Sequence, residues 1–337
     1  MPDLATLIAL IMLLALIVYA LTGGADFGGG VWDLMARGPR AKQQRELVVQ
    51  AIGPIWEANH VWLILVIVLL FVAFPAGFAA ILTALHIPIA LMLIGITLRG
   101  SAFVFRSYGR QRAADFRRWG LLFAIASAFT PITLGVTLGA VSSGALELNE
   151  SGQVVTDFVS EWLAPFPISV GLMVLFLFSY LAAVYLAYAS RDDAELSDDF
   201  RSRAIMASVG FGATALVAAL LSRSGAPHLW EVLGRGASSV LYQVAVAGLA
   251  VGALVALVRR SYAVARILAA AQVVAVVLGW GLSQKGFILV GELTLEDAAA
   301  PDSVLGPVLI ALVAGMVVLI PSFIFLFRIF RGPGETH

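Results

Sequence analysis

Nine apolar runs alternate with short polar breaks along the whole chain, at about 4–34, 46–74, 77–106, 116–142, 163–189, 203–222, 237–258, 262–283 and 304–330. A helix rises about 1.5 Å per residue, so runs of about 20 residues can cross a hydrocarbon core of about 30 Å. The breaks carry turn-forming or charged residues: Arg37-Gly38-Pro39-Arg40 after the first run, Pro75-Ala76-Gly77 after the second, Ser190-Arg191-Asp192-Asp193 after the fifth. The pattern predicts an all-α polytopic membrane protein with nine transmembrane helices. Runs one to four and five to eight share a rhythm, with a polar loop after the first and third member of each set. This points to two four-helix bundles plus one additional helix: 1–142, an outer loop at 143–162, a second bundle at 163–283, and 284–337 with a second outer loop and the ninth helix.

Charge orients the helices. Most of the 21 basic residues fall in the loops after the first, third, fifth and seventh runs and at the C-terminal end. Loop 143–162 instead holds Glu147, Glu150, Asp157 and Glu161 and no basic residue. Basic loops stay on the cytoplasmic side, which places the N-terminus outside and the C-terminus inside a prokaryotic cytoplasmic membrane. Composition agrees with the class: 61% hydrophobic and 12% charged, against about 25% charged in soluble domains. Cysteine is absent, which excludes disulfides, iron–sulfur clusters, covalent C-x-x-C-H haem and cysteine-ligated zinc. The first run lacks a basic leader and is too long for a secretory segment, so it reads as a retained helix. No phosphate-binding loop, dinucleotide fingerprint, zinc-protease helix or nucleic-acid pattern occurs, and topology accounts for the basic loops.

An ionisable side chain at the centre of a membrane helix costs on the order of 2.5–3.5 kcal/mol, so each one is informative. Three stand out: Asp26, Glu57 and Arg99. Glu57 lies about 16 Å from the basic end of the second run, near mid-membrane, and His60 follows one turn later on the same face. Together they can form a step in a proton path, or a protonated glutamate can simply bond a neighbouring helix. Asp26 and Arg99 each lie about 33 Å along runs of the same direction, so they reach a similar level and can pair. That pair reads either as an interfacial anchor or structural ion pair, or as a functional site. His60 and His86 are the candidate haem ligands of this chain, although a lone histidine in an apolar helix is more often a hydrogen-bonding group. Pro131 predicts a kink in the fourth helix, with Thr130 and Thr133 satisfying freed backbone groups.

Three ordered motifs carry a resemblance: Gly23-Gly24-Ala25-Asp26-Phe27-Gly28-Gly29-Gly30-Val31-Trp32-Asp33, then Ile52-Gly53-Pro54-Ile55-Trp56-Glu57-Ala58-Asn59-His60-Val61-Trp62-Leu63, then Leu98-Arg99-Gly100-Ser101-Ala102-Phe103-Val104-Phe105-Arg106. Together they resemble subunit II of the cytochrome bd-type quinol oxidases, more closely the cyanide-insensitive branch. The likeness is strongest over residues 1–110 and continues afterwards in helix number and length. It implies a heterodimer in which a partner, subunit I, holds haems b and d, or b alone, and the quinol site. This chain would be haem-free, bind no metal, and contribute acids to a proton path. By position Asp26 and Glu57 match those acids. Some members have Asp at the position of Glu57 and Gln at that of His60, so the carboxylate is kept and a second titratable group is added. A structural quinone and a small single-helix subunit occur in some members. Two rival classes remain at this level: a proton-coupled secondary transporter with Glu57 as coupling site, which calls for matching helix breaks in both halves, and a stand-alone b-type cytochrome using His60 and His86.

Overall fold

The structure, a computed structural model, describes residues 3–52, 56–108, 113–284 and 286–330, without the side chains of 52, 56–58, 106–108, 113–117, 323–324 and 326–330. Helix α1 (Leu4–Leu34) opens on Asp3, whose carboxylate caps the Thr6 N–H at 2.7 Å. After a turn comes α2 (Ala41–Ile52), then α3 (Trp56–Ala73), α4 (Pro75–Ala84), α5 (His86–Tyr108) and α6 (Ala113–Ser143). The second set contains α7 (Pro165–Ala189), α8 (Ala194–Gly225), the short α9 (Pro227–Gly234), α10 (Ala237–Val258) and α11 (Tyr262–Ser283). A single turn, α12 (Leu295–Ala298), leads to α13 (Asp302–Phe330). Eight of the described helices are long and apolar enough to span a membrane, and nine if the bent pair α3–α4 counts as one span.

The run predicted at 46–74 is two helices. The first, α2, is amphipathic: Gln44 and Val48 are buried while Lys42 and Glu46 pair across one turn in solvent. The run predicted from 77 is also divided, because α4 turns aside from α3 by 118° and α5 starts only at His86. Pro75 explains the break: it cannot donate to the preceding turn, and it holds Phe74 off helical geometry at φ −134°, ψ 60°. Helix α6, by contrast, runs continuously through Pro131. The Thr130 hydroxyl donates to the Ala126 carbonyl and the Thr133 hydroxyl to the Thr130 carbonyl, at 2.8 and 2.9 Å.

The bundle has two chemically different ends. At the acidic end the β1–β2 hairpin (Glu147–Leu148 with Val154–Val155) and the β3–β4 hairpin (Phe287–Leu289 with Leu293–Thr294) sit over α4 and the start of α1. The Glu292 carboxylate ties the hairpins together by accepting the Leu148 N–H at 3.0 Å. At the basic end, Arg40 binds Asp199 through Nε and Nη2 at 2.8 and 2.7 Å and Glu195 through Nη1 at 2.8 Å. The Gln44 amide donates to Asp199 at 2.7 Å, so α2 is fastened to the start of α8. The bond to Asp199 pushes the Arg40 guanidinium further above its ordinary value, and the link stays charged.

Helix α7 is the most enclosed element, packed against α1, α6, α8 and α11. Its contact with α1 is a backbone approach. A Cβ at Gly28 would overlap the Phe178 carbonyl oxygen and lie 2.7 Å from the Ala182 methyl group. Trp32 adds a buried hydrogen bond from Nε1 to the Ser179 carbonyl at 2.7 Å. The opposite extreme is α13, whose Ile310, Val313, Val317 and Val318 are exposed, as expected of a helix facing lipid or another subunit.

Candidate functional site

The site is assembled from one residue on each of four helices. Asp26 stands on the glycine-rich half of α1 and Arg99 on α5, and they are 2% and 1% exposed. Arg99 Nη1 donates to Asp26 Oδ2 at 2.9 Å, and Nη2 donates both to Oδ1 and to the Asp26 carbonyl, the latter at 3.0 Å. Arg99 Nε donates to Ser127 Oγ of α6 at 2.9 Å, while that hydroxyl donates to the Phe123 carbonyl at 2.7 Å. From α3 the Asn59 amide donates to Asp26 Oδ2 at 2.7 Å. The rings of Phe27 and Phe123 flank the guanidinium, with centroids 4.8 and 4.9 Å from Cζ.

This geometry answers the desolvation problem. Two charges removed from water attract strongly enough only when the pairing is close and the remaining donors and acceptors are satisfied. Here the forked guanidinium meets the carboxylate on two edges, which is the stronger, bidentate arrangement. The glycines allow it. A Cβ at Gly30 would collide with Ser127 Oγ, so α1 and α6 could not approach closely enough for Arg99 to reach both.

His60 lies beside this pair, with its ring centroid 6.2 Å from Tyr19 and 6.0 Å from Phe27. Among the described residues, Tyr19 Oη, Asn59 Oδ1 and His60 Nδ1 are buried and have no hydrogen-bond partner. Buried polar atoms are normally paired, so this side of the site calls for water or for side chains beyond the described ones. A cavity of about 60 Å³ borders Asp26 on another side, walled by Gly29, Ala51 of α2, Ala182 and Tyr185. At about 30 Å³ per molecule it has room for roughly two waters.

Glu57 is the second residue of α3, one turn before His60; its side chain lies outside the described residues. His86 is elsewhere: it opens α5, its Nδ1 lies 2.9 Å from the Thr83 carbonyl, and its ring packs on Phe158 of the acidic loop. His60 and His86 thus sit against different parts of the molecule and do not form a facing pair of axial ligands. Among the described residues no cluster of His, Asp and Glu has the makings of a metal site. Sequence reasoning missed Asn59 and Ser127. Asn59 could have been found by the rarity argument that found Glu57, because an amide in an apolar run also requires a partner. Ser127 gave no such signal, since a helical serine can satisfy itself on its own backbone.

The fold and the site define a multi-pass, all-α membrane protein built around a buried ion pair shared by α1, α3, α5 and α6. Residues 4–330 match the family described as cytochrome bd terminal oxidase subunit II, and the chain belongs to that family. It is 31% identical over 122 residues to the cytochrome bd ubiquinol oxidase subunit 2 of Bacillus subtilis, covering 36% of this chain and 35% of that one. It is also 31% identical over 130 residues to the cytochrome bd-I ubiquinol oxidase subunit 2 of Escherichia coli K12, covering 38% and 33%. These alignments span about a third of each relative's length. The fold matches a solved structure of bd oxidase from Geobacillus thermodenitrificans with a TM-score of 0.82, over 98% of this chain and 100% of that one, at 22% identity.

Proposed function

We propose that this chain is the haem-free subunit of a quinol:oxygen oxidoreductase and that it conducts protons from the basic end of the bundle toward an oxygen-reducing site in a haem-bearing partner, subunit I. Family membership supports the subunit assignment, and relatives named as ubiquinol oxidase subunits support the substrate class. Reduction of one oxygen molecule to two waters consumes four electrons and four protons. Two quinols supply the electrons and release their own protons on the opposite side. The haems of the partner supply electron transfer and oxygen chemistry; this chain supplies the way in for protons. With the basic end cytoplasmic and the N-terminus outside, the reaction charges the membrane without a pump.

The observation that carries this reading is the Asp26 carboxylate, buried among apolar helices yet on the wall of a cavity large enough for water. A carboxylate and water at membrane depth are the elements of a proton relay. Asp26, its charge matched by Arg99, is the supporting acid near the entrance. Glu57, at the start of α3 two residues before the Asn59 that binds Asp26, passes the proton on, with His60 as a second titratable group one turn away.

The test begins with the tagged chain purified from its native membrane in mild detergent. A haem-bearing membrane polypeptide should accompany it and give a reduced-minus-oxidised spectrum. A colourless chain without that partner overturns the subunit assignment. In the assembled complex, Glu57→Ala should slow oxygen consumption on the order of a hundredfold, the scale of a lost proton-transfer group, while Glu57→Asp keeps most of it. Wild-type oxygen consumption by an assembled Glu57→Ala complex removes Glu57 from the path.

A further inference from the structure

A cleft at the basic end, between the α7–α8 turn and the α10–α11 turn, lies away from the Asp26 site. Its volume is about 580 Å³, within the range of small-ligand sites. We propose that this cleft binds the phosphate headgroup of an anionic phospholipid, a role independent of the proton path.

Charge is the first argument. Arg191 and Arg260 line the cleft, and Arg266 packs on Tyr188 of its wall, with its guanidinium carbon 4.0 Å from that ring's centroid. Arg191 lies over the same ring at 4.6 Å, so Tyr188 gathers two guanidinium groups. Among the described residues, neither Arg191 nor Arg266 has a carboxylate within ion-pairing distance. Arg260 Nη2 donates to Asp198 at 2.7 Å, but that carboxylate also accepts from Arg201 Nε at 3.0 Å, so one acid serves two bases. Asp192 is the one acid on the wall. The cleft wall therefore holds more arginine than acid, together with the hydroxyl-bearing residues Ser261 and Tyr262.

Backbone geometry is the second argument. Arg260 adopts a left-handed conformation, φ 57°, where the turn ending α10 would accept glycine at lower cost. An arginine at that position keeps a cation on the wall of the cleft.

The apolar surroundings identify the source of the phosphate. Val264, 51% exposed, lines the cleft, and Ile267, one turn further along α11, is 65% exposed. On α10, Val251, Val255 and Val258 form an exposed stripe leading to the same turn. A soluble phosphate has no use for these surfaces, whereas acyl chains descending from a bound headgroup would cover them. Basic pockets between membrane helices on the side facing anionic lipid bind such headgroups.

The experiment is native mass spectrometry of the detergent-purified protein, with whatever subunits accompany it, titrated with phosphatidylglycerol. Wild type should retain phosphatidylglycerol in preference to phosphatidylcholine, and millimolar inorganic phosphate should not displace it. Arg191→Gln with Arg266→Gln should weaken retention about twenty-five-fold, from about fivefold for each basic group removed, whereas Arg259→Gln, outside the cleft wall, should leave it unchanged. Should the double variant fail to fold, Ser261→Glu puts an acid into the cleft and should weaken retention as strongly. Equal retention by these variants, or displacement by inorganic phosphate, overturns the proposal.

Discussion

Arg99 makes more buried polar contacts than any other side chain of the site: it binds Asp26 on two edges, reaches Ser127, and lies between Phe27 and Phe123. Removing one partner of such a pair leaves the other charge uncompensated inside the bundle, at a cost of about 3–5 kcal/mol. Arg99→Leu should therefore abolish accumulation of folded protein in the membrane, as measured by detergent-resistant fluorescence of a fused reporter. Arg99→Lys should not rescue it, because a point charge cannot occupy both carboxylate oxygens and Ser127 together. The double variant Asp26→Asn with Arg99→Leu should accumulate better than Arg99→Leu alone. If it does not, the pair is not what makes Arg99 necessary.

Among the elements, α1 and α7 approach closely because Gly28 carries no side chain. Gly28→Ala would press a methyl group into the Phe178 carbonyl, and overpacking of this kind costs about 1–3 kcal/mol. A lowered thermal midpoint should follow, while alanine at the exposed turn residue Gly152 should matter only through its positive φ of 74°, outside the bundle. Equal midpoints for Gly28→Ala and wild type would mean that α1 and α7 are less tightly apposed than described. The apolar runs made the spans legible, because hydropathy reports directly which segments lipid accepts. They could not separate α2 from α3 or α4 from α5, since apolar content persists across both divisions. Pro75 was visible as a break, but not that the next ten residues form a helix of their own turned by 118°. The Asp26–Arg99 level was estimated by counting Arg99 from residue 77, which included residues that belong to α4. The two side chains meet because α5 and α1 both pack on α6, so that Arg99 reaches past Ser127 to Asp26, a tertiary fact that spacing along the chain does not contain. Tyr19 and Phe123, both part of the site's surroundings, carry no charge or break that marks them in an apolar run.

The molecule as a whole separates its charges: arginines and their acid partners close one end, while Glu147, Glu150 and Asp157 lie in the loop at the other. The absence of native cysteine makes this separation directly measurable. A single cysteine at Ser151, in the acidic loop, should react with a membrane-impermeant maleimide in intact cells, and one at Gln43, on α2, only after permeabilisation. The reverse pattern would invert the topology and place the proposed proton entrance on the wrong side. The ion pair at the centre also bears on how the protein is made. Asp26 precedes Arg99 by 73 residues. At about 5–20 residues per second, the ribosome takes roughly 4–15 s to produce the arginine after the aspartate. For that interval the nascent first helix carries an acid with no counter-charge, so its final seating in the bilayer awaits the arrival of α5. Biogenesis of this subunit is therefore timed by a bond that does not exist when its first helix is inserted.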